Sequence, residues 1–132
     1  MGKVNKIVIE GKEILEVDYS GAKEPEMINL LIQASDILTK EYKPLLVISI
    51  FGPTNYVTPA FLRTVEKKLS EQKHLIIKQA IIGLTTSQKM LLKGLNFFLQ
   101  RNFKTFNTID EGLRYLLDTT PETDLPDFYK KN

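Results

Sequence analysis

Three short stretches concentrate hydroxyl, amide and carboxylate groups: Asp18-Tyr19-Ser20-Gly21, Gly52 to Thr58, and Thr85-Thr86-Ser87. Each follows an apolar run. In a parallel sheet, binding crevices form outside the carboxyl ends of strands. Side by side, these stretches would make a polar concavity whose helix amides could hold an anion or a ligand carbonyl. Tyr19, Asn55, Tyr56, Thr58 and Thr85 are the candidate ligand-binding residues. The same hydroxyls have a second use. Thr58 before Pro59 reads as a helix start, the hydroxyl capping an orphan amide and proline taking a position that needs no donor. Thr85 with Gln88 reads as a capping box.

Other chemistry finds little to work with. There is one histidine, His74, and no cysteine, so thiolate metal sites, paired-histidine motifs and disulfides are excluded. No glycine-rich dinucleotide fingerprint, phosphate loop or nucleophile elbow occurs. Glu16 and Asp18 share a strand face and could divide acid and base roles. Alternating acids on an edge strand also serve simply as solvated charge that discourages mispairing. No catalytic residue, metal or cofactor is assigned.

The 132 residues suit one domain. With 18 basic and 16 acidic residues spread along the chain, the net charge of +2 offers no field for nucleic acid. MGKVNKIVIEGK has no long apolar core of a signal peptide. No apolar run approaches the ~20 residues that cross a bilayer. The expectation is a cytoplasmic protein without a transmembrane segment.

The elements that must position these groups follow from hydropathy. Residues 3–10 and 13–19 read as a hairpin about Gly11-Lys12, with Leu15, Val17 and Tyr19 on one face of the second strand and Glu16 and Asp18 on a solvated one. A helix over 24–42 repeats Met27, Ile28, Leu31, Ala34, Ile37 and Leu38. LLVISIF, 45–51, has no alternation and predicts a strand covered on both faces. A helix from Thr58, a strand over 78–84, a helix over 86–101, a strand near 103–106 and a helix opened by the capping box Thr108 to Glu111 complete the chain. The fold class is α/β: a mixed sheet of about five strands with four helices, in the order ββαβαβαβα. The domain spans 1–118, followed by a loosely ordered tail over 119–132.

The helix SQKMLLKGLNFFLQR has more apolar surface than one packing face needs. Leu91, Leu92, Leu95, Phe98 and Leu99 form a face for the sheet, and Met90, Gly94 and Phe97 line up beside it. The second stripe calls for a partner: the tail with Phe128 and Tyr129, a second subunit, or an apolar ligand. Met90, Gly94 and Phe97 are the candidate interface, and a two-fold dimer is the commonest form such an interface takes. Lys89, Lys93 and Arg101 flank it and permit weak contact with an anionic membrane surface.

ILEVDYSGAKEPEM, the strand ending FGPTNYVTPAF, and AIIGLTTSQKMLLKGLNFFLQRNFKTFNTIDEGLRYL together resemble the SpoIIAA-like bacterial proteins, grouped with the STAS-like and CRAL-TRIO-like domains. Gly83-Leu84-Thr85, Gln88-Lys89, Leu92-Lys93, Asn96 and Phe106-Asn107-Thr108 carry most of the likeness, which covers about Ile14 to Leu117. It implies a mixed sheet whose helices pack mainly on one side, which a dimer partner would reconcile with doubly covered central strands. Relatives include anti-sigma-factor antagonists switched by phosphorylation of a serine in an Asp-Ser-Ser-Gly-like turn. Thr58 occupies the similar place here, within Asn55-Tyr56-Val57-Thr58-Pro59 and without that turn. Two functions follow as expectations. One is a non-enzymatic regulatory or protein-interaction module that self-associates. The alternative, which the CRAL-TRIO side implies, is a protein that binds a small apolar ligand or lipid in a pocket at the strand ends.

Overall fold

The computed structural model describes residues 2–41 and 43–118. The elements are β1 (Lys3–Ile9), β2 (Lys12–Asp18), α1 (Glu24–Lys40), β3 (Leu45–Ile50), α2 (Pro59–Gln72), β4 (Ile76–Ile82), α3 (Thr86–Leu99), β5 (Lys104–Phe106) and α4 (Ile109–Leu117), with a single 3-10 turn at Lys73–Leu75. The tail expected over 119–132 lies outside the described residues.

The five strands lie in sequence order, β1 antiparallel to β2 and the rest parallel. The hairpin turn is Glu10-Gly11 rather than Gly11-Lys12. Ile9 pairs with Lys12, and both turn residues have positive φ, 53° and 78°. Two consecutive left-handed residues match the twist of the flanking strands, and glycine supplies the second without strain.

Monotonic strand order settles where the helices go. Each β-α-β crossover steps the same way across the sheet, so right-handed connections put α1, α2 and α3 on one face. That face holds the larger core, in which Leu15, Val17 and Val47 of the sheet meet Met27, Leu30, Phe61, Leu92 and Leu95 of the helices. Helix α4, the last of the described elements, folds back over the other face, where Leu116 packs with Ile14, Leu46, Ile48, Ala80 and Ile82. The double burial predicted for LLVISIF is therefore met within one chain. No dimer partner is needed for it.

Two expectations about β2 change. It is an inner strand between β1 and β3, not an edge. Its second face is not wholly solvated either, because Ile14 is fully buried under α4. Ending α4 costs unpaired carbonyls, and two lysines meet them. Lys12 donates to Leu117 O at 3.3 Å; Lys78, itself buried, donates to Tyr115 O at 3.1 Å and Asp118 O at 3.2 Å. Cations at a helix C-terminus also complement its partial negative charge.

Candidate functional site

The three hydroxyl-rich stretches do meet at one end of the sheet, and Asn55 is what joins them. Its Nδ2 donates to Tyr19 O at 2.8 Å and Ala22 O at 2.9 Å, while Oδ1 accepts from Gly52 N at 2.7 Å. Its own carbonyl accepts from Gln88 Nε2 at 3.3 Å, which ties the loop to α3. An amide with both donors and an acceptor satisfied inside the protein is a brace, not a ligand contact. Asn55 is only 6% exposed. Its predicted binding role is thus replaced by a structural one.

The hydroxyls likewise have structural uses. Thr58 Oγ1 accepts from Phe61 N at 3.1 Å and caps α2. Thr85 Oγ1 accepts from Gln88 N at 3.2 Å, and Gln88 Oε1 accepts from Thr85 N at 3.0 Å, closing the box that starts α3. Asp18 Oδ1 accepts from Ser20 N at 2.9 Å and Ser20 Oγ at 2.6 Å, which holds the β2 end in a local turn. Gly83, at φ 84°, lies so close to Phe51 O that a Cβ would collide with backbone. Only glycine fits there. Tyr56 stands 74% exposed, apart from the lining of the apolar cavity that Tyr19 faces. Among the described residues no group of three or more His, Asp or Glu side chains could hold a metal ion.

Tyr19 alone of the five candidates faces a cavity, and it does so from the core side. Its ring stacks on Phe51 with centroids 4.8 Å apart and meets Phe61 edge-on at 5.5 Å. Full burial pushes its phenol well above the ordinary phenol range. The cavity, about 110 Å³ and partly open to the surface, lies between the sheet and helices α1, α2 and α3, and is lined largely by aliphatic and aromatic side chains. On the sheet side lie Ser49 and Gln79, both buried, with Ser49 Oγ donating to Gln79 Oε1 at 2.8 Å. Lys68 of α2 is the one charged residue in the lining among the described residues. The pocket expected at the strand ends is thus an apolar one lying deeper, under α2 and α3. Ser49 within LLVISIF and Gln79 within KQAIIGL were its available signals: single polar residues inside apolar strands.

Helix α3 presents the second feature. Leu92, Leu95 and Leu99 are its buried residues. Met90 is 70%, Phe97 88% and Phe98 63% exposed, and a Cβ on Gly94 would meet nothing within 4 Å. The predicted interface of Met90, Gly94 and Phe97 is therefore open surface among the described residues. Leu91 and Phe98, expected to seat on the sheet, belong with the exposed stripe. At 100° per residue they sit at the flank of the arc that Leu92, Leu95 and Leu99 fill. Arg101 does not join Lys89 and Lys93 as a membrane-facing cation. Its Nη1 donates to Lys73 O at 2.6 Å and its Nη2 to Ile76 O at 3.0 Å, binding the entry to β4.

The chain has a SpoIIAA-like fold. No protein-family model matches it and no curated protein matches it. Among solved structures, it is similar to an uncharacterised protein of the DUF3478 family with a SpoIIAA-like fold from Shewanella loihica PV-4. The TM-score is 0.65 at 13% sequence identity, over 87% of this chain and 93% of that one. No helix among the described residues is long and apolar enough to cross a membrane.

Proposed function

We propose that the protein is a non-enzymatic regulatory module that works by contact, and that it associates with a second copy of itself through the outer face of α3. The observation that carries this is the exposure of Phe97 at 88%, beside Met90 and Phe98 on the same stripe. Single exposed apolar residues are ordinary, but a contiguous aromatic and aliphatic stripe is the mark of an interface.

The stripe is also self-complementary. Gly94, with open space above it, lies one turn from Phe97. Two α3 helices crossing antiparallel about a two-fold axis would set each Phe97 over the other's Gly94, which satisfies the rule that the same patch serves both partners. The polar platform supports the same reading from the other side. Its Thr58, Thr85 and Asn55 groups are used in caps and braces, a structural use that fits a module acting by contact.

Sedimentation velocity of the full chain across a micromolar to submillimolar series tests it. The expected result is a concentration-dependent dimer that Phe97→Ser converts to a monomer without lowering the monomer's melting temperature. A wild-type chain that stays monomeric throughout overturns the self-association.

A further inference from the structure

We infer that a groove at the other end of the sheet is a binding site for a small organic phosphate, a dianionic head on a compact apolar body. The groove lies at the starts of β2, β3 and β4, away from the hydroxyl-rich stretches, and its Leu46 and Leu116 belong to the core on the α4 side. It is therefore independent of the proposed dimer through α3. Its volume is about 340 Å³ and it is open to solvent. Small-molecule sites span ~300–1,000 Å³, so a compact ligand fits.

Charge decides the head. Among the described residues, Lys12, Lys43 and Lys78 line the groove against one carboxylate, that of Glu13. Glu13 is already engaged, 3.4 Å from Lys6 Nζ and 3.3 Å from Lys43 Nζ, while Lys6 is matched by Glu41 at 3.0 Å. Lys12 and Lys78 form no ion pair among the described residues. Lys78 is 5% exposed, and a buried charge ordinarily has a counter-ion. Its Nζ instead donates to the carbonyls of Tyr115 and Asp118 and lies 4.7 Å from the centroid of the Tyr115 ring. These partners and the end of α4 offset its desolvation, but they carry only partial charge. Lys12 is partly buried and gives one of its three N–H groups to Leu117 O; no other acceptor among the described residues takes the remaining two. An anion gripped by Lys12 and Lys43 would thus sit in the field of Lys78 and supply the counter-charge it lacks. Compact ammonium charges without an arginine fork suit a phosphate better than a planar carboxylate. The body follows from the rest of the lining. Leu45 and Pro44 are apolar, and Ile77 is 50% exposed, a surface that an aromatic or aliphatic group would remove from water.

Amide-resolved NMR titration of the full chain with phenyl phosphate, benzoate, benzyl alcohol and inorganic phosphate tests this. Phenyl phosphate is expected to shift the backbone amides of Gly11, Lys12, Lys43 and Ile77 saturably. It should bind about threefold tighter than benzoate and about tenfold tighter than benzyl alcohol, as partly exposed ion pairs provide. Inorganic phosphate, which has no body to cover Ile77, should bind about fivefold more weakly than phenyl phosphate. Lys12→Gln and Lys43→Gln should each weaken phenyl phosphate about threefold, and together about tenfold, with benzyl alcohol unaltered. Lys43 is exposed and bears no helix end, so its variant keeps the test intact if Lys12→Gln disturbs α4. An absence of saturable shifts at the groove amides overturns the site. Equal affinity for phenyl phosphate, benzoate and benzyl alcohol, or indifference to both lysine variants, overturns the phosphate head. Inorganic phosphate binding as tightly as phenyl phosphate overturns the apolar body.

Discussion

Helices α3 and α4 are built alike and used differently. Each opens with a threonine capping box, Thr85 with Gln88 and Thr108 with Glu111, and each carries a glycine in mid-helix. Gly112 of α4 is buried against the sheet, where a Cβ would come within 2.6 Å of Ile82 Cδ1 and 3.3 Å of Ala80 Cβ. Gly94 of α3 faces open space. Glycine weakens a helix by ~1 kcal/mol relative to alanine, so each needs a compensating reason. For Gly112 the reason lies inside the chain: a larger residue would have to displace the buried Ile82 side chain and press on Ala80. For Gly94 none lies among the described residues, and the proposed self-association would supply one. Similar local signals thus end in a buried face on one side of the sheet and, among the described residues, an exposed one on the other.

The sharpest test of that contrast is truncation of the leading apolar residue on each helix. Leu116 is 1% exposed, and Leu116→Ala should cost ~3 kcal/mol in urea unfolding through transfer and cavity terms. Phe97→Ala, measured at concentrations too low for association, should change stability by less than ~0.5 kcal/mol. Equal losses would mean that the α3 stripe is part of the monomer's core. The glycines give the next effect. Gly112→Ala should destabilise by ~1–2 kcal/mol, since overpacking against Ile82 outweighs the gain in helix propensity. The capping threonines come third, with Thr85→Ala and Thr108→Ala each expected to lower stability by ~1 kcal/mol. A Thr85 loss far below that of Thr108 would mean that its hydroxyl is not held for the cap. The smallest effect should be that of Gly94→Ala, a gain of ~0.5–1 kcal/mol in the dilute chain. The same substitution should weaken self-association, and a Gly94 variant that dimerises unchanged would break the proposed helix crossing.

How far these features were legible depends on the range of the interaction. The capping boxes at Thr85 and Thr108 and the proline-led start at Thr58 involve partners three residues apart, so residue types alone specify them. The strand–helix alternation was likewise readable from period. The role of Asn55 was not, because its side chain bonds to Tyr19 and Ala22, more than thirty residues away. A polar residue in a turn reads the same whether it braces a neighbouring loop or greets a ligand. Arg101 misled for the same reason: beside Lys89 and Lys93 it looks like a third surface cation, yet it crosses to carbonyls at the start of β4. Leu91 and Phe98 could not be assigned because helical period defines an apolar arc, while the neighbour decides how much of that arc is covered.

From residue order alone come the ββαβαβαβα plan, the caps, and a third helix with more apolar surface than one face can bury. These rest on contacts within a few residues and on the periods of the backbone. Only the packed chain decided that α4 covers the second face of the sheet, that the hydroxyl platform caps and braces its own elements, and that a cavity opens beneath α2 and α3. Coverage and voids are properties of several distant segments meeting at once, and no single stretch of sequence contains them.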